Sequence, residues 1–106
     1  AISAQGLLRL ANSLRGRDDA AADRYEAAGL VTAATLLSEP YLSTAPDHQG
    51  LLLHSIYHEP NGWDNKPVAG QAAHGESSMW GDYHLMELGV YLQRRIEGLP
   101  YLTFFS

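Results

Sequence analysis

A chain of 106 residues, 45% of them hydrophobic and 18% charged, has room for one modest core and is too apolar to be a disordered chain. A net charge of −5, with Lys66 the only lysine, excludes the basic stripe that a phosphate backbone requires, so no nucleic-acid partner is expected. The absence of cysteine excludes a disulfide frame and a thiolate metal site and fits a reducing, cytoplasmic setting; no apolar run approaches the roughly 18 residues of a membrane span, so no membrane partner is expected.

The first stretch, AISAQGLLRLANSLRG, reads as a helix. Ala4, Leu7, Leu8, Ala11 and Leu14 recur at steps of three and four and make one apolar face, and Gly16 is a natural stop. No capping residue precedes Ile2, and residues 1–15 lack the charged start and unbroken apolar middle of a secretory leader.

A second helix is expected in RDDAAADRYEAAGLVTAATLLSEP. Asp18 suits the cap, and Asp19 and Asp23 suit the positive end of the helix dipole. Ala22, Glu26, Gly29 and Ala33 form a thin face, whereas Leu30, Val31, Ala34 and Leu37 form a bulky one. A helix with both faces packs closely against others, and the short link to the first helix makes the two antiparallel neighbours.

Residues 38–81 carry four prolines and five glycines, and only LLLHSIY, residues 51–57, looks regular, as a short strand. So long an irregular connection in so small a protein is usually functional. The third helix is expected in DYHLMELGVYLQRRIEG. Asp82 is its expected cap. Leu85, Leu88, Gly89, Leu92 and Ile96 line one face, which Met86 and Val90 widen, and Gly98 and Pro100 stop it. Gly89 costs about 1 kcal/mol against alanine at mid-helix, which implies a tight contact with a neighbour. The tail YLTFFS is apolar and must lie against something. Three helices with broad apolar surface and a sticky tail do not close comfortably, so the chain is expected to be the C-terminal part of a larger helical protein. A swapped or oligomeric small domain is the competing expectation.

The candidate chemistry lies in the irregular region. His48, His54, His58, His74 and His84 invite a metal reading, but His54 and His58, four apart on a strand, would stand about 13 Å from each other, and no HExxH is present, so no metal site is expected. No Gly-x-Ser-x-Gly elbow accompanies the serines. Paired carboxylates could come from Asp47, Glu59, Asp64, Glu76 and Asp82, although spacing in loops sets no separation between them. Trp63 and Trp80 each sit beside glycine, with Asn61, Asp64 and Asp82 close in sequence. An indole so placed can stack on a sugar ring while polar neighbours bind hydroxyls; it can equally be a half-buried loop anchor.

GLLLHSIYHEPNGWD, residues 50–64, followed by GESSMWGDYHLMELGVYLQRR, residues 75–95, resembles the C-terminal region of unsaturated glucuronyl hydrolases, glycoside hydrolase family 88. SEPYLSTAPDHQG before them and AISAQGLLRLA at the start fit the same likeness, which spans essentially this whole chain but only roughly the last third of a family member. The resemblance implies an all-α fold in which residues 1–106 are the C-terminal segment of one catalytic (α/α)6 barrel. Ala1 to Leu37 would be one hairpin and Asp82 to Gly98 a last-layer helix. It implies a hydrolase that releases 4,5-unsaturated uronic acid from oligosaccharides left by polysaccharide lyases. An Asp protonates the enol-ether double bond, water adds, and the hemiketal opens to free the next sugar. The implied partners are such an oligosaccharide and the remainder of the barrel, with no metal or organic cofactor. The family's catalytic aspartates lie in earlier hairpins, and no position here matches them, so no catalytic residue is carried over. His58, Asn61 and Trp63 are the candidate substrate-binding residues, with Trp80 shaping the cavity wall. Relatives that bind sulfated sugars place small polar and lysine residues in this region, where this chain has His58 and Trp63. Family 105, acting on unsaturated rhamnogalacturonan fragments, is a close variant of the same reading. A non-catalytic helical carbohydrate-binding or interaction module is the alternative from another class.

Overall fold

The computed structural model describes residues 1–103, and among them the fold is all-α. Helix α1 spans Ile2–Leu14, α2 spans Asp19–Leu36 and α3 spans Met79–Ile96, with a single 3-10 turn at Glu59–Asn61 between the last two. No described helix is long and apolar enough to cross a membrane.

Helix α1 is the spine. Ala4, Leu8 and Ala11 are buried, and α1 packs extensively against α2 and more sparsely against α3. The hairpin forms because the sequence supplies both ends of its turn. Gly16 adopts φ +82 just past α1, and Asp18 caps α2 by accepting from the Ala21 N–H at 3.0 Å. The close approach falls on Gly29: a Cβ there would sit 2.9 Å from Leu8 Cγ and 3.3 Å from the Ala4 carbonyl oxygen. The thin face of Ala22, Gly29 and Ala33 is thus the buried one, and the helices sit closer than larger side chains would allow.

The bulky face behaves differently. Leu30, Val31 and Leu37 remain exposed, Val31 at 68%. On α3, Leu85, Leu88 and Tyr91 are buried, whereas Met86, Val90 and Ile96 face outward. Gly89 has nothing within 4 Å of an added Cβ, so the tight contact expected there does not occur among the described residues. The radius of gyration is 16.1 Å, against about 13 Å for a compact domain of this length. The accessible surface is 7309 Å², against roughly 5,800 Å² for a folded monomer of this mass. These helices therefore leave apolar surface that a closed domain would bury.

Polar joints fix the three helices in register. Gln5, buried at 6% exposure, donates to the His84 carbonyl and to Glu87 at 3.1 Å each, which answers the desolvation of its amide. The Gln5 and His84 hydrogen bonds hold the Glu87 carboxyl below its ordinary value. Glu26 on α2 receives Arg15 from the end of α1 at 2.7 Å and also pairs with Arg95 on α3, so one carboxylate ties three helices. Helix α3 ends in a Schellman motif, with Gly98 at φ +70 and the Leu99 N–H donating to the Arg94 carbonyl at 2.8 Å. Beyond it the chain folds back. The Arg9 guanidinium lies 5.1 Å from the Tyr91 ring centre and 4.8 Å from that of Tyr101, and it donates to the Leu102 carbonyl. Burial pushes the Tyr91 hydroxyl up, an effect that the nearby Arg9 opposes. Phe104, Phe105 and Ser106 of the expected apolar tail lie outside the described residues.

Gly29→Ala is expected to destabilise the chain by about 1–2 kcal/mol, the overpacking against Leu8 outweighing the gain in helix propensity. Gly6→Ala, with open space around its Cβ, is expected to stabilise by about 0.5–1 kcal/mol. Urea midpoints of the two variants should therefore move in opposite directions, and a shared direction would contradict the packing described.

Candidate functional site

The irregular segment between α2 and α3 is organised chiefly by two carboxylates, Asp82 and Asp64, rather than by a sheet. Its first tie is Asp82. Helix α3 begins one turn earlier than the apolar period indicates, because Ser78, extended at φ −119 and ψ 152, caps it by accepting from the Gly81 N–H at 3.1 Å. Asp82 is not the cap. Its two carboxylate oxygens accept the N–H groups of Leu51 at 2.9 Å and Leu52 at 2.8 Å. Leu52 is thereby held in the helical core, at 9% exposure.

The strand expected at 51–57 does not form. One antiparallel bridge joins Leu42 and Leu52, flanked by Ser43 N–H to Leu51 carbonyl at 2.8 Å and Leu53 N–H to Tyr41 carbonyl at 2.7 Å. It stops there because His54 takes φ +63, a left-handed conformation that no extended strand contains. The same kink sends Ser55 and Tyr57 toward the N-terminus of α3. Gly50 permits the crossing: a Cβ on it would collide with Ser77.

The next loop is tied by Asp64, whose carboxylate accepts the N–H of Tyr57 and, at 2.9 Å, that of His58. His58 caps the 3-10 turn, its Nδ1 accepting from the Asn61 N–H at 3.2 Å, and its ring lies 5.2 Å from that of Trp63. Gly62 at φ +65 closes the turn and delivers Trp63 beside Tyr57. Asn65 and His74 exchange hydrogen bonds of 3.1 and 3.2 Å and close off the excursion between them, and Lys66 reaches Glu59 at 2.9 Å.

These ties assemble a contiguous aromatic surface. The Tyr57 ring centre lies 5.4 Å from Trp63 and 5.0 Å from Trp80. A pocket of about 320 Å³ opens beside it, lined by these three rings together with Ser55, Asp64, Asn65, Glu76, Ser77 and Ser78. The rings keep roughly half of their surface open, with Tyr57 at 53%, Trp63 at 59% and Trp80 at 43% exposure. Ser77 Oγ is buried without a hydrogen-bond partner among the described residues. Both Asp64 oxygens are engaged by backbone, whereas the Glu76 carboxylate stands only at 3.8 Å from His48 Nε2. Flat apolar faces beside hydroxyls and one uncommitted carboxylate can stack on a sugar ring and accept its hydroxyls.

Of the residues singled out in the sequence, Trp63, Trp80 and the carboxylate candidates Asp64 and Glu76 line this pocket. His58 acts one step away, by shaping the turn that carries Trp63, and Asn61 stays on the exposed outer side of that turn and does not line the pocket. Tyr57, the ring common to both contacts, escaped notice because it ended the segment read as a strand. Its signal was its place six residues before Trp63 with a proline and a glycine between, which brings the two rings around one tight turn. Among the described residues no three His, Asp or Glu side chains gather closely enough to hold a metal ion. Comparison with protein-family models, with curated proteins and with solved structures returns no match.

Asp64→Ala is expected to release the 57–64 loop and to shift tryptophan emission to longer wavelength, with the helical circular dichroism unchanged. The local cost should be about 1–3 kcal/mol, as for charge-assisted hydrogen bonds lost from a loop. Unchanged emission would contradict the placement of Trp63 by Asp64.

Proposed function

We propose that this chain is the C-terminal portion of an unsaturated uronyl hydrolase of the (α/α)6 type, and that its aromatic pocket forms part of the wall receiving the sugar next to the unsaturated uronate. The observation that carries the reading is the surface of Trp63, Tyr57 and Trp80 beside hydroxyl and carboxylate groups at the mouth of α3. The uncovered apolar faces of α2 and α3 support it, because helical hairpins set in a ring bury such faces against the hairpins on either side. In this reading the general acid and base are aspartates of other hairpins. Asp64 and Asp82 are spent on backbone N–H groups and take no part in proton transfer.

The activity is followed as loss of the ultraviolet absorbance of the unsaturated uronate when the double bond is hydrated. The intact polypeptide that carries these residues is expected to consume the chromophore, and the 106 residues by themselves are expected to leave it unchanged. Trp63→Ala and Trp80→Ala in the intact protein should each raise KM about tenfold, near 1.4 kcal/mol of lost binding, with a smaller effect on kcat. Turnover by the 106 residues alone, or an inert intact protein, would contradict the proposal.

A further inference from the structure

The two walls of the aromatic pocket come from separate stretches. Ser55 and Tyr57 stand on one, Glu76, Ser77 and Ser78 on the other. Two hydrogen bonds join these stretches where they first meet. The Ser55 N–H donates to the Glu76 carbonyl at 3.0 Å, and the Gly75 N–H donates to His54 Nδ1 at 3.1 Å across 21 residues. His54 is also the one non-glycine residue with positive φ among those described, and Gly75 sits at φ +89. A left-handed histidine and a left-handed glycine are thus held face to face by an imidazole nitrogen acting as an acceptor.

We propose that His54 is a positioning residue of the pocket, acting as a neutral imidazole clamp that keeps the two walls together and opens when the ring gains a proton. An imidazole that accepts at Nδ1 carries its proton on Nε2. Adding the second proton places an N–H where the Gly75 N–H already points, so the acceptor becomes a donor facing a donor and the bond is lost. Among the described residues, the neighbours of the ring do not compensate. Tyr41 presents its ring edge-on at 5.9 Å, and the His74 ring lies at 6.4 Å with its own Nδ1 at 3.0 Å from the Ala72 carbonyl. Among the described residues no carboxylate forms an ion pair with His54; Glu76 turns its side chain toward His48 instead. The other loop histidines differ. His48 Nδ1 also accepts a glycine N–H, that of Gly50 at 3.1 Å, but this bond stays within its own turn and joins no walls; the same Nδ1 lies 3.2 Å from the Gly50 carbonyl and Nε2 lies 3.8 Å from Glu76, so both nitrogens find acceptors when the ring is charged. His58 would lose its cap to Asn61 on protonation, but its charged ring would gain the face of Trp63. The switch therefore rests on His54.

The substitution His54→Asn tests this directly. Asparagine tolerates the left-handed backbone, and its Oδ1 falls near the position of Nδ1, so it keeps the acceptor without titrating. Acrylamide quenching of Trp63 and Trp80, this chain's two tryptophans, reports closure of the walls, and circular dichroism reports the helices. Between about pH 8 and about pH 5, where histidine side chains change charge, quenching of the wild type should rise while the helical signal holds. His54→Asn should stay protected throughout, and His54→Leu should be open at both ends. A wild type without the change, or a His54→Asn variant that follows the wild type, would overturn the clamp. A second arm rests on the reading of the pocket as a sugar site. Binding of cellobiose as a neutral probe should weaken about five- to tenfold over the same pH range in the wild type, and by less than about twofold in His54→Asn, as one hydrogen bond's net worth implies. Absence of cellobiose binding at any pH, with the quenching change intact, would count against the sugar reading and leave the clamp standing. Equal weakening in both proteins would overturn the clamp's hold on the ligand.

Discussion

The Asp82 carboxylate, accepting the N–H groups of Leu51 and Leu52, is the interaction on which the rest of the molecule depends. It joins the helical frame to the segment that carries the aromatic pocket. The geometry is economical. Asp82 sits in the first turn of α3, where the helix dipole favours its charge, and its two oxygens meet two consecutive amides of a stretch with little regular structure to satisfy them. Leu52 then enters the core beside Leu85 and Leu88, so a polar tie and an apolar anchor act on the same residue pair. The bridge to Leu42, the kink at His54 and the approach of Tyr57 to Trp80 all follow from where that pair is fixed.

Asp64 repeats the device on a smaller scale, with two consecutive amides again bound by one carboxylate. Together the two aspartates show how a loop of this length keeps a defined shape without a sheet or a disulfide. They also divide the acidic residues by role. Carboxylates that hold backbone are unavailable for proton transfer, whereas Glu76 at the pocket keeps its oxygens free of backbone. A segment built this way can present aromatic rings in a fixed relation while leaving their faces open.

The helices were legible in the sequence because their signals are local. The apolar period of α1, Asp18 before α2 and Gly98 after α3 each act within a turn or two, and the structure places them as that chemistry requires. The start of α3 was misread because Asp82 is as good a capping residue as Ser78, and the choice between them is made by Leu51 and Leu52, some 30 residues away. The strand at 51–57 failed for a different reason: its apolar run is real and forms one bridge, but one left-handed residue at His54 ends the pairing. Gly89 misled in another way, since the tight helix contact belongs to Gly29, and only the facing Leu8 reveals it. In the site, Trp63, Trp80 and Glu76 could be singled out by residue type, whereas Tyr57 required the fold to bring it beside them.

The exposed faces of α2 and α3 and the aromatic pocket belong to one picture, in which a helical frame with unfilled flanks carries a shaped loop at one helix mouth. Amide hydrogen exchange at Leu51 and Leu52 in Asp82→Asn, set against the wild type, tests that picture most directly. These two amides should be protected in the wild type and lose most of that protection in the variant, while the amides of α1 and α2 exchange as before. Equal protection in both proteins would show that something other than the Asp82 carboxylate fixes the loop, and the derivation of the pocket from that tie would fail.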